Sequence, residues 1–83
     1  MSLTVLYFAW LRERIGAPSE RVETGAATVA DLVEELRGRE PRYALAFSDL
    51  ASVRVALDQE LGDLASPLAG VRELAFFPPM TGG

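Results

Sequence analysis

From Leu3 to Ala9 the chain carries apolar side chains in both alternating registers. Leu3, Val5 and Tyr7 share one face of an extended strand, and Thr4, Leu6 and Phe8 share the other. Trp10 to Ile15 then reads as a turn or short helical segment closed by Gly16, with Pro18 just beyond. Glu20-Arg21-Val22-Glu23 is short and charged, the composition of a sheet-edge strand. The clearest helix opens at Thr28, which stands three residues before Asp31 as a weaker relative of the capping box. Val29, Leu32, Val33 and Leu36 recur at helical spacing, leaving Asp31, Glu34, Glu35 and Arg37 to solvent, and Gly38 is the stop.

After Pro41 a second, shorter helical stretch repeats that spacing with Tyr43, Ala46, Phe47 and Leu50. Val53 to Leu57 alternates as a strand, with Val53, Val55 and Leu57 inward and Arg54 and Ala56 outward, and Asp58-Gln59-Glu60 reads as its turn. A short piece around Leu61 pairs next, the chain wanders from Asp63 to Gly70, and Arg72 to Phe77 forms the last strand. The predicted order is β-β-α-(α)-β-β-β. Such an order predicts an α+β roll: a mixed sheet packed on one main helix, with a short second helix.

Composition changes this picture mainly by exclusion. Eighty-three residues, 49% hydrophobic and 24% charged, make one domain over residues 1–77 with a tail at 78–83. No apolar run approaches a membrane span, and Met1-Ser2 leads straight into the first strand without a signal-peptide pattern, so a cytoplasmic protein is expected. There is no cysteine and no histidine, and all eight basic residues are arginine. Thiolate, imidazole and amine chemistry are thereby removed, along with zinc or copper ligation and a lysine-bearing phosphate loop. A net charge of −4 argues against nucleic acid and favours a protein partner with a basic surface.

The candidate chemistry lies at the end of the sequence. Pro78-Pro79 stops strand pairing after Phe77 and launches stiff, extended backbone. Beyond it Met80-Thr81-Gly82-Gly83 loses its side chains, and a chain without Cβ atoms passes through slots closed to any other residue. At about 3.3 Å per residue, the segment from Pro78 to Gly83 reaches roughly 20 Å, enough for the floor of a partner's active site.

Leu6-Tyr7-Phe8-Ala9 with Leu11-Arg12-Glu13 near the start, and Leu74-Ala75-Phe76-Phe77-Pro78-Pro79-Met80-Thr81-Gly82-Gly83 at the end, resemble the small, sulfur-carrying subunits of molybdopterin synthase. The resemblance spans essentially the whole chain and implies the ubiquitin-like β-grasp fold. One departure precedes the last strand, where Gly70-Val71-Arg72-Glu73 replaces the family's Gly-Asp-Glu turn.

The resemblance implies a carrier, a non-catalytic sulfur-donating subunit of a transferase complex. An adenylating enzyme like those that activate ubiquitin uses ATP to form a C-terminal acyl-adenylate on Gly83, which becomes a thiocarboxylate. The chain itself binds no cofactor and no metal. Its tail enters the large subunit of the synthase, in a heterotetramer of two carriers on a large-subunit dimer, and gives sulfur to a cyclic pyranopterin precursor. In that scheme Gly83 carries sulfur, Gly82 permits passage, Thr81 and Met80 line the channel mouth, and Pro78 and Pro79 hold the tail off the body.

Strand alternation adds a docking face to the tail. Leu74 and Phe76 point to the core, so Ala75 and Phe77 point away from it, and Phe8 joins them. With Leu6 and Ala56, and Arg54 at the edge, they form an apolar patch in need of a partner.

Three other functions compete with a molybdopterin synthase subunit. A thiamine-pathway sulfur carrier shares the tail chemistry, but Phe76-Phe77-Pro78-Pro79 speaks against it. A ubiquitin-like modifier joined through Gly83 to lysines of other proteins is a second alternative, and the absence of lysine forbids branched chains on this one. For an enzyme acting alone, Asp58 with Glu60 or Glu34 with Glu35 would have to serve as an acid–base pair. A solvated turn and a polar helix face explain those pairs better, and Trp10 and Tyr43 read as packing residues.

Overall fold

A computed structural model describes residues 1–79 of the chain. The first strand, β1 (Ser2–Tyr7), has a buried register of Leu3, Val5 and Tyr7 and a half-buried register of Ser2, Thr4 and Leu6. It gives way to helix α1 (Ala9–Ile15), which Gly16 ends in a left-handed cap, its N–H donating to the Arg12 carbonyl at 2.8 Å. Strand β2 (Ser19–Glu23) returns antiparallel to β1. Helix α2 (Val29–Arg37) begins where the Thr28 hydroxyl accepts the Asp31 N–H at 3.2 Å, and it buries Val29, Leu32, Val33 and Leu36 as the spacing predicts.

Helix α3 (Pro41–Ala46) follows, then a single 3-10 turn at Leu50–Ser52, and strands β3 (Arg54–Leu57), β4 (Glu60–Gly62) and β5 (Glu73–Phe77). The five strands lie in the order β2-β1-β5-β3-β4, with β1 and β5 parallel at the centre and the remaining pairs antiparallel. The neighbours of β5, last in sequence and central in the sheet, are thus the first and third strands, so the last segment closes the sheet. One core joins the inward sheet residues Leu3, Val5, Tyr7, Val55, Leu74 and Phe76 to the α2 stripe and to Leu11, Ile15, Ala46 and Phe47. Phe76 lies at its middle, stacked on Tyr7 at 6.1 Å and meeting Phe47 edge-on at 4.9 Å.

The predicted α+β roll is the observed one, with corrections at element ends. β1 stops at Tyr7 instead of Ala9, because Ala9 turns left-handed (φ 53°) and opens α1. Phe47 and Leu50 leave the second helical stretch: Phe47 caps α3, and Leu50 starts the 3-10 turn, although both still pack on the core. Val53 is buried just ahead of β3, and Arg72 precedes β5. Glu60 belongs to β4, since the turn is only Asp58-Gln59, both left-handed at φ 50° and 72°. That is the φ pattern of the two-residue hairpin turn whose twist matches its strands.

Candidate functional site

The outer face of the sheet is built by register. Leu6 of β1 lies opposite Ala75 of β5, and Ala75 lies opposite Ala56 of β3. One large and two small apolar side chains therefore form a floor across the three central strands. Phe8, Phe77 and Pro78 stand at one end of that floor, Gln59 and Glu73 at the other, and together they enclose a shallow groove of about 480 Å³. Phe8 is 46% exposed, an unusual position for a large aromatic side chain.

Two backbone features bring the aromatic end together. β1 and β5 run parallel, so their C-terminal ends coincide, with Tyr7 opposite Phe76. One residue further, the Phe8 N–H donates to the Phe76 carbonyl at 3.1 Å. Arg54 sits opposite Phe77 in the register, on the exposed surface. Its guanidinium donates to the Ala51 carbonyl at 3.1 Å, so its charge flanks this end without lining the groove. Pro78 and Pro79 are half-buried and lie beyond the last strand pair. Met80, Thr81, Gly82 and Gly83, the remaining predicted site residues, lie outside the described residues.

The opposite end is fixed by Asp58. Its carboxylate accepts the Arg72 and Glu73 N–H groups at 3.1 and 3.0 Å, while its own N–H donates to the Glu73 carbonyl at 2.9 Å. The start of β5 is thus clamped at the Val71-Arg72-Glu73 segment. Sequence reasoning did not place Gln59 or Glu73 in the groove. Alternation with Ala75 and Phe77 was enough to find Glu73; Gln59 gets there by a left-handed turn that its residue type does not announce.

Three of the four carboxylates in the acidic pairs have structural partners among the described residues. Glu34 pairs with Arg37 at 3.2 Å, Glu35 with Arg39 at 2.7 Å, and Asp58 is engaged as above. A further carboxylate, Glu20, enters the core side of the sheet edge, where it accepts hydrogen bonds of 2.7 Å from both the Tyr7 and Tyr43 hydroxyls. Arg42 donates to the Tyr43 oxygen at 3.2 Å and to the Ile15 carbonyl at 2.8 Å. Burial and then the Glu20 hydrogen bond push both phenols above their ordinary value of 10.0. Held protonated, they act as donors that join β1, β2 and α3. Tyr43 is buried, as expected of a packing residue, and Trp10 is half-buried with the Arg14 guanidinium 4.6 Å from its ring centre.

Among the described residues no cluster of acidic side chains is arranged to hold a metal ion, and no helix is long and apolar enough to cross a membrane. What remains is an apolar face at the root of a side-chain-poor tail. In comparison with known proteins, the ThiS family matches residues 5–83. The chain belongs to the ThiS family.

Within it, this ThiS-family chain is 37% identical to the molybdopterin synthase sulfur carrier subunit of Escherichia coli, over 98% of this chain and 99% of that one. It is 40% identical to the subunit of the same name from Haemophilus influenzae, with the same coverage of both. Among solved structures, SAMP1 of Haloferax volcanii, a small archaeal modifier protein, superposes with a TM-score of 0.75 at 31% identity, covering both chains completely. The β-grasp class expected from the sequence is therefore the fold of the chain.

Proposed function

We propose that this chain is the sulfur-carrying small subunit of a molybdopterin synthase, working through Gly83 and docking through its outer groove. The observation that carries the reading is the 37–40% identity to subunits of that name along 98% of the chain. The groove agrees with it, because the apolar face lies where Phe77 and Pro78 lead into the tail. A partner that covers Phe8, Ala56, Ala75 and Phe77 also receives the segment that follows them.

The chemistry follows from the end group. A C-terminal carboxyl has a reference pKa of about 3.3–3.7, so at neutral pH it is an anion and resists attack. Adenylation by an ATP-dependent activating enzyme converts it to an acyl-AMP, whose leaving group a sulfur nucleophile displaces to leave a thiocarboxylate on Gly83. The large synthase subunit supplies the active site in which that sulfur passes to a cyclic pyranopterin precursor. Gly82 keeps the approach narrow, Met80 and Thr81 meet the channel mouth, and Pro78 with Pro79 holds the tail extended. Phe8 and Phe77 anchor the body, with Arg54 beside them. The carrier binds neither ATP nor metal itself, and it is the donor half of a reaction whose catalytic groups belong to its partners.

Thiol-selective alkylation of the protein purified from its own cells tests this directly. The chain has no cysteine, so label is expected only on the C-terminal peptide. Fragmentation must localise it to Gly83, since exchange of oxygen for sulfur changes the mass almost as oxidation of Met80 does. Absence of label after incubation with ATP, a sulfur donor and the activating enzyme rejects the carrier reading.

A second reading has its own support in the likeness to SAMP1. In that reading Gly83 is joined to amines of other proteins, and each attachment is single, because this chain offers no lysine for extension. Peptides with Gly83 linked to lysine in cell extract favour it; a Gly83 thiocarboxylate favours the carrier.

A further inference from the structure

Among the described residues, three other than glycine hold a positive φ: Ala9 at 53°, Asp58 at 50° and Gln59 at 72°. All three stand at the groove. Gln59 lines it, Asp58 precedes Gln59, and Ala9 follows Phe8, which lines the other end. In this conformation the Cβ of an L-residue crowds its own backbone, so the geometry persists only where the surroundings hold it. The tight β3–β4 connection requires it of Asp58 and Gln59. No hairpin requires it of Ala9.

The junction around Ala9 shows what the turn accomplishes. Phe8 is still extended (φ −122°, ψ 154°), and its N–H bonds the Phe76 carbonyl at 3.1 Å as though β1 continued. Its carbonyl already accepts the Leu11 N–H at 3.1 Å, the first bond of the following helical segment. The chain passes from strand to helix within a single residue. With Tyr7 facing the core, strand alternation carries Phe8 to the outer face for as long as Phe8 keeps strand geometry.

We propose that Ala9 is a positioning residue for docking: its left-handed backbone turns the chain into α1 abruptly, which keeps Phe8 in strand geometry and its ring presented to the occupant of the groove. The proposal rests on the groove being the docking face. Outside the groove, the described chain holds a positive φ with glycine, at Gly16 (φ 90°) and Gly70 (φ 78°). Glycine spreads over a broad region of positive φ, whereas alanine is confined to one narrow well. At Ala9 the strained residue is therefore the more rigid one, and rigidity of an anchor before binding is what raises affinity.

The test is Ala9→Gly in the full chain. The fold is expected to hold and the melting temperature not to fall, since glycine relieves the strained φ. In the free protein, aromatic carbon relaxation should show a more mobile Phe8 ring. Affinity for the large synthase subunit from the same cells should fall about fivefold, the scale of immobilising one side chain. The loss should vanish when Ala9→Gly is placed on a Phe8→Ala background, which a general loosening of the fold would not produce. Unchanged Phe8 mobility, or an equal loss in the Phe8→Ala background, overturns the role of Ala9. Unchanged affinity for both Phe8→Ala and Phe77→Ala overturns the docking reading instead, and the relaxation of the free chain still decides whether Ala9 orders the Phe8 ring.

Discussion

Adjacent residues of β5 meet opposite fates on the two faces of one sheet. Phe76 and Leu74 are fully buried beneath the helices, while Phe77 and Ala75, one position along, are half-buried on the outer face. β1 and the residue after it repeat the contrast, with Tyr7 inside and Leu6 and Phe8 outside. Both faces are apolar, and the described chain covers only one of them. In the proposed reading the inner face is apolar for folding and the outer face for association, so the two should separate cleanly under mutation.

The largest effect is expected inside. Phe76→Ala removes the ring that joins Tyr7 to Phe47 and should cost about 3–5 kcal/mol of stability. Against a total of about 5–15 kcal/mol for a typical domain, that loss leaves a marginal or unfolded chain, which urea titration followed by circular dichroism will show. Phe77→Ala is the matching change on the outer face. It should leave the urea midpoint nearly unchanged and weaken binding to the large subunit by about 2 kcal/mol or more, as buried aromatic anchors do. Unchanged affinity in calorimetry removes Phe77 from the interface and with it the division of labour between the faces.

How much of this contrast the sequence disclosed depends on how local the signal was. The period-two pattern of Leu74-Ala75-Phe76-Phe77 was sufficient to assign the faces, and the α2 stripe with its Thr28 cap was read correctly because helix spacing and capping act within a few residues. The groove was legible for the same reason, apart from Gln59. Ends of elements were less so: Ala9 and Asp58 adopt left-handed φ that nothing in their residue type demands, and the fold imposes it. The Glu20 cluster was invisible, since its partners Tyr7 and Tyr43 lie 13 and 23 residues away and meet only when β1, β2 and α3 are assembled.

That cluster provides a pH test of the inner face. Tyr7 and Tyr43 have phenols raised above 10.0, chiefly by burial, so the folded chain holds those protons more tightly than the unfolded chain. Their stabilisation is complete below the unfolded value of about 10 and declines as pH rises beyond it. Urea midpoints should accordingly be flat from neutral pH to about 9.5 and fall above pH 10. Tyr7→Phe should lower the plateau by about 1 kcal/mol, one net hydrogen bond, and make the alkaline fall shallower because only Tyr43 still contributes. An unaltered alkaline slope assigns the fall to other groups. Binding through Phe77, measured at neutral pH, should be untouched.

The smallest expected effect distinguishes the two strained ends of the groove. Asp58-Gln59 has the backbone of a turn that favours glycine at its second position, and Gln59 holds φ 72° there. Replacing it with glycine removes about 1–2 kcal/mol of left-handed strain but adds about 0.4–1 kcal/mol of unfolded-chain entropy. Gln59→Gly should therefore stabilise the chain by about 0.5–1 kcal/mol, read as a higher urea midpoint with an unchanged slope. Strain at this end serves the hairpin, so its relief should leave Phe8 mobility and large-subunit affinity as they were. Strain at Ala9 serves the anchor, and the same substitution there should loosen it. Equal losses of affinity from Gln59→Gly and Ala9→Gly would mean instead that the groove binds as one rigid surface, with neither end privileged.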